Sequence, residues 1–257
     1  HVEKALDRIE QEFIPDTALI RYGGGDWDDS LQPVNQDLAS RLVSGWTVAL
    51  LAQSLAELDA TLNDSPLKAR ISSLAARVRS DFRRFVLVDG VVAGFLLYDE
   101  DLKLAEPLLH PNDTRTGIHN RLIPMTRSII AGLLTREEAD LQMARIAEHL
   151  KQPDGVRLMD RPAPYSGGLE TFFKRAESAA NFGREIGLQY VHAHIRYAEA
   201  LAKLGDGDGF FQALLTICPI GIEKTVPNAE MRQSNMYFSS SDAAFLNRAD
   251  AAANFDK

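Results

Sequence analysis

Leu38-Ala39-Ser40-Arg41-Leu42-Val43-Ser44-Gly45-Trp46-Thr47-Val48-Ala49-Leu50-Leu51-Ala52-Gln53-Ser54-Leu55-Ala56-Glu57-Leu58 is the stretch on which the fold class turns. Leu38, Leu42, Val43, Trp46, Val48, Leu50, Leu51, Leu55 and Leu58 recur at helical spacing and are nearly apolar all round. That pattern predicts a helix from about Gln36 to Leu62, buried on most sides. Asn63-Asp64-Ser65-Pro66 ends it. Upstream, Val2, Ala5, Leu6, Ile9 and Phe13 predict an amphipathic helix over residues 2–13, stopped at Pro15 and Asp16. Downstream, Leu67, Ile71, Leu74 and Val78 line another. Phe85-Val86-Leu87-Val88, Asp89-Gly90 and Val91 to Tyr98 read as a β-hairpin with a tight turn. Residues 107–121 read as a long loop. Helices follow at Met125–Leu134, Glu137–Leu150, about Leu188–Leu204 with a glycine stop at Gly205, and Phe210–Ile217, with a short last one at 242–252. The expectation is an all-α toroid or bundle with a β-hairpin excursion near residues 84–98, one domain over residues 1–257.

Composition narrows the partners. The 257 residues are 45% hydrophobic and 25% charged, which is globular, with net charge −8 and pI about 5.3. No basic stripe is present, so nucleic acid and anionic membrane are excluded as expected partners. No apolar run approaches the ~20 residues of a membrane helix. Cys218 is the single cysteine, which excludes an intrachain disulfide and a cysteine-based zinc site. A chain opening on His1 without a signal-peptide pattern reads as processed or excised from something longer.

Between the first two helices lies Gly23-Gly24-Gly25-Asp26-Trp27-Asp28-Asp29-Ser30. Glycines let a backbone approach a ligand, carboxylates bond hydroxyls or donate a proton, and an indole offers a flat face. The loop reads either as a carbohydrate-enzyme loop or as an acidic turn. Two rival motifs fail. Asp26, Asp28, Ser30 and Asp37 match calcium-loop positions, but Leu31 stands where such a loop requires glycine. The glycine run lacks the Lys-Ser/Thr of a nucleotide loop. His192 and His194 are two apart on a helix and face different ways, so no metal site is expected.

Gly25-Asp26-Trp27-Asp28-Asp29 resembles the Gly-Asp-Trp-Asn-Asp loop of the inverting phosphorylases of glycoside hydrolase family 94. Arg184-Glu185-Ile186-Gly187-Leu188-Gln189-Tyr190-Val191-His192 is similar to that family's Lys-Glu-Asn-Gly-Gly-Ile-Phe-x-His block. Ala200-Leu201-Ala202-Lys203-Leu204-Gly205-Asp206-Gly207-Asp208 looks like its Ala-Glu-x-Leu-Leu-Gly-x-Gly-Asp helix end. Gly24 to Pro33 looks most like the family's 1,2-β-oligoglucan phosphorylase branch, which is related to the phosphorylase-like domain of cyclic β-1,2-glucan synthases. The resemblance implies the later part of an (α/α)6 barrel. An N-terminal β-sandwich, the first barrel helices and the extreme C-terminus would then belong to a missing part of the same polypeptide.

The implied chemistry is inverting phosphorolysis of a β-glucoside to α-glucose 1-phosphate. Inorganic phosphate is co-substrate and nucleophile, with no other cofactor. Asp29 matches the general acid. It must be protonated at rest, and like charge from Asp26 and Asp28 would raise its pKa. Otherwise Asp29 caps the turn at Leu31. Asp26 and Asp28 are expected to shape the donor and to contact the sugar, Asp28 standing in place of the family's usual Asn. Trp27 either stacks on a glucosyl ring or is a plain core residue. Arg184 and Glu185 match positions lining the sugar and phosphate site, and His192 matches the phosphate-binding histidine. Arg232 to Asp242 looks like the family's Glu-Pro-Tyr-Val loop; serines including Ser240 and Ser241 stand at its phosphate end. The expected partners are a β-glucan oligosaccharide and phosphate, with a homodimer admitted and a cytoplasmic setting that keeps the sugar phosphate inside the cell. A hydrolase of the same fold and a non-catalytic carbohydrate-binding fragment are the alternatives.

Overall fold

The computed structural model describes residues 1–152, 155–161, 163, 170–174, 176–177 and 190–218, without the side chain of Asp29. The expected helix at 242–252, together with Arg184, Glu185, Ser240 and Ser241, lies outside the described residues.

Helix α1 (Val2–Gln11) turns Leu6 inward. Asp7 and Glu10 meet Arg70 on α4 (Pro66–Asp81), which pins the first helix to the fourth. The stretch expected as one helix from 36 to 62 is two helices with a strand between them: α2 (Gln36–Arg41), β1 (Leu42–Ser44) and α3 (Gly45–Thr61). The break is physical. Leu42, Val43 and Ser44 pair in antiparallel register with Leu97, Leu96 and Phe95. The Ser44 hydroxyl then caps α3 by accepting from the Thr47 amide at 3.4 Å. A short apolar run suits a buried strand as well as a helix, and periodicity alone does not separate them.

The hairpin excursion is likewise larger than expected. Phe82–Val86 form a π-helical turn. Strands β2 (Leu87–Val88) and β3 (Val91–Val92) pair through Asp89 and Gly90, both at positive φ, as a two-residue hairpin turn requires. Strand β4 (Phe95–Tyr98) leaves that hairpin and becomes the centre of a three-stranded antiparallel sheet between β1 and β5 (Ala105–Leu108). All four β4 residues are buried. The expected loop at 107–121 therefore starts as an edge strand. The helical expectation holds for the described residues, which are mostly helical, but they carry more strand than the one hairpin foreseen, with a small sheet set in the core.

The remaining helices fall where their patterns place them. They are α5 (Leu122–Ile130, starting three and ending four residues early), α6 (Arg136–His149, with a Thr135–Glu138 capping box), α7 (Val191–Lys203) and α8 (Gly207–Thr216). Gly205 stops α7 at φ 80°, a conformation glycine adopts without steric cost. Between α6 and α7, β6 (Lys151–Gln152) pairs with β7 (Gly155–Val156). Helices pack in the order α4, α3, α5, α7, α8, and α6 lies against α5 and β3. The glycine loop and the start of α7 come together beside this run.

Candidate active site

Asp26 and Asp28 both turn inward. Their side chains are fully buried, beside an Arg121 side chain only 1% exposed. The Arg121 guanidinium donates to Asp26 at 2.9 Å and 3.4 Å, lies 4.0 Å from Asp28 Oδ2, and donates to the Gly94 carbonyl at 3.3 Å. Its face covers the Phe95 ring, 4.5 Å from the centroid. Gly94 leaves room for this: a Cβ there would stand 3.2 Å from Arg121 Cδ and 2.5 Å from Leu109 Cβ.

The two carboxylates also shape the backbone. Asp26 Oδ1 accepts from the Asp28 amide at 3.0 Å. Asp28 caps the 3-10 turn Asp29–Leu31, its Oδ1 accepting from the Ser30 amide at 3.1 Å. The cap is therefore Asp28, one residue before the Asp29 that sequence reasoning weighed for it. One buried guanidinium stands against both carboxylates, 2.9 Å from Asp26 and 4.0 Å from Asp28.

Downstream, residues 30–34 are held by residues 171–177. Ser30, Gln32 and Phe172 carbonyls accept from Ala176, Lys174 and Val34 amides at 3.0, 2.9 and 3.0 Å. Phe173 bridges Pro33 and stacks near Phe95, ring centroids 5.8 Å apart. The buried Glu177 carboxylate gathers three amides, those of Thr171, Phe172 (2.6 Å) and Phe173 (2.8 Å).

Trp27 is half-buried and faces α7. Its ring meets Tyr190 edge-on at 5.3 Å and His192 at 5.2 Å, so two widely separated sequence blocks touch. His192 is exposed on its other side. Partial burial, then the positive charges of Arg196 and Arg127, hold its pKa below the ordinary imidazole value. The ring is thus neutral near pH 7, with one N–H to donate and one nitrogen to accept. Arg196 sits one turn along α7 and pairs with Glu199; Arg127 on α5 donates to Gln53 at 2.8 Å. His194, on the opposite side, is buried: Nδ1 accepts from the Val156 amide and Nε2 faces the Ala213 carbonyl, tying α7 to β7 and α8. Among the described residues no group of His, Cys, Asp and Glu is arranged to hold a metal, and no helix is long and apolar enough to cross a membrane.

Sequence reasoning missed Arg121, Tyr190 and Glu177 as parts of this site. A cavity of about 570 Å³ opens elsewhere, between α2, the outer ends of β4 and β5, and Phe172; Asp26, Trp27 and His192 do not line it.

The Glycosyl hydrolase 94 superfamily, catalytic domain, matches residues 1–245. A 1,2-beta-oligoglucan phosphorylase of Listeria innocua is 52% identical over 258 aligned positions, covering 100% of this chain and 23% of the relative. The chain thus spans about a quarter of that relative's length. With the two motif blocks in contact and the family match running through both, the chain belongs to the Glycosyl hydrolase 94 superfamily.

Proposed function

We propose that this chain carries the proton donor and part of the phosphate site of an inverting β-glucan phosphorylase. The observation that carries the reading is the ring contact between Trp27 and His192 at 5.2 Å, which sets the acidic loop against the histidine block. Asp29 gives its proton to the glycosidic oxygen as the bond to the anomeric carbon breaks. A phosphate oxygen attacks that carbon from the opposite face. The products are α-glucose 1-phosphate and an oligoglucan one glucosyl unit shorter. Phosphate is already a nucleophile, so one carboxyl group suffices where an inverting hydrolase uses two.

In this reading the neutral His192 donates a ring N–H to phosphate, and Ser240 and Ser241 add hydroxyls. Trp27 offers its remaining face to the glucosyl ring, with Arg184 and Glu185 on the sugar side. Asp26 and Asp28, engaged with Arg121, frame the donor's backbone. A β-1,2 linkage is supported by the name of the Listeria innocua relative. The helix run α4, α3, α5, α7, α8 is the later part of an (α/α)6 barrel, completed by further chain of the same polypeptide. The product sugar phosphate favours a cytoplasmic setting.

The test uses the full-length parent enzyme. Asp29→Asn should lower phosphorolysis by ~10³-fold or more while the protein stays folded. Near-normal turnover in that variant overturns the assignment. Glucose release that proceeds equally without phosphate would assign a hydrolase instead.

A further inference from the structure

We propose that Arg121 is a positioning residue for the proton donor, acting on Asp29 through Asp26 and Asp28; this rests on the phosphorolysis reading above. Arg121 heads α5, far along the chain from the loop, yet its guanidinium meets the loop's two buried carboxylates. Three contacts fix its plane: the fork to Asp26, the Gly94 carbonyl and the Phe95 ring. Its Nε is buried without a hydrogen-bond partner among the described residues, so the guanidinium's directed bonding runs through its two terminal nitrogens.

The carboxylates transmit that position to the backbone. Asp26 holds the Asp28 amide, and Asp28 holds the Ser30 amide, so the two bonds bracket the Asp29 peptide on either side. Neither carboxylate is exposed. An Arg fork matches a carboxylate in plane, whereas Lys supplies only a point charge and no flat face for Phe95. Removing the fork frees the loop to shift, and a displacement of about 1 Å at a reacting group costs on the order of 100-fold in rate.

A merely structural arginine and a positioning one differ in their dependence on the leaving group. In the full-length enzyme, each variant is assayed with β-1,2-oligoglucan plus phosphate and with 2,4-dinitrophenyl β-glucoside plus phosphate. The dinitrophenolate departs without a proton, so placement of the acid ceases to matter. Arg121→Met should lower kcat on oligoglucan by ~100-fold with KM within about threefold, and should lose less than about threefold on the dinitrophenyl donor. Arg121→Lys should fall between this variant and the parent. Asp26→Asn, which keeps the shape and leaves no unpaired buried carboxylate at that position, should show the same split and decides the matter if Arg121→Met does not fold. Equal losses on both donors, or full oligoglucan activity in both Arg121→Met and Asp26→Asn, overturn the proposal. Asp29→Asn serves as control: inactive on oligoglucan and active on the dinitrophenyl donor if Asp29 is the acid. Oligoglucan turnover in that control would defeat the underlying reading separately from the role of Arg121.

Discussion

Replacing Glu177 by leucine tests whether one buried carboxylate holds the strap on which the acidic loop rests. Glu177 is 6% exposed and accepts from the amides of Thr171, Phe172 and Phe173. A hydrogen bond to a charged acceptor contributes about 1.5–3 kcal/mol, but the three do not add in full. Phe173 is buried and its amide would lose its partner outright, whereas Thr171 is exposed and Phe172 half-exposed, so water can take their donors. The net cost to local order is about 3 kcal/mol, or roughly 150-fold in the opening equilibrium. Hydrogen exchange in the full-length protein reads it directly. The amides of Val34, Lys174 and Ala176, which join the strap to residues 30–34, should exchange faster by about that factor. Glu177→Gln keeps an oxygen for two of the amides but turns an NH₂ toward the third, and should accelerate exchange only about fivefold, equivalent to ~1 kcal/mol. Unchanged exchange at all three amides in Glu177→Leu would refute the idea that the carboxylate organises the strap.

Three further outcomes are expected. His110 is buried, its Nδ1 accepting from the Asn112 amide and its Nε2 donating to the Val88 carbonyl, so the folded state holds the neutral ring. Burial lowers its pKa from the ordinary 6.5. The unfolded chain therefore binds a proton that the folded chain refuses, and stability should fall as pH drops below about 6.5. Thermal melts at pH 7 and pH 5 should show a smaller acid-induced drop for His110→Gln than for the parent. Gly94→Ala should cost about 1–3 kcal/mol by overpacking, since the added Cβ would sit 2.5 Å from Leu109 Cβ. Gly24→Ala, with nothing within 4 Å of its added Cβ, should melt close to the parent.

The sequence exposed most of the helices because their apolar faces repeat locally. Ile71, Leu74 and Val78, for example, are all buried on α4, as their spacing predicts. The strand at Leu42–Ser44 was hidden because three apolar-to-small residues fit a helix as readily as a strand, and only Phe95, Leu96 and Leu97 across the sheet decide between them. The hairpin turn was legible from Asp89-Gly90, but not the departure of β4 into a separate sheet, which depends on partners at both edges. At the site, the acidic loop and the histidine block could be picked out as motifs. Their contact through Trp27 is a tertiary fact that neither motif contains. Arg121 carried no local signal at all. The nearest hint was charge balance: two carboxylates that end up buried must find a cation somewhere, and the chain supplies it after the sheet.

That separation has a temporal side. Asp26 and Arg121 are 95 residues apart in the chain. At synthesis rates of about 5–20 residues per second, the loop emerges roughly 5–20 s before the guanidinium that pairs with Asp26. During that interval its carboxylates remain hydrated, because burying them alone would be prohibitively costly. The glycine-rich stretch is therefore born solvated and is drawn inward only after β4, β5 and the head of α5 exist to receive it. The part of the molecule that reads first as a motif takes its shape only once chain far downstream of it has been made.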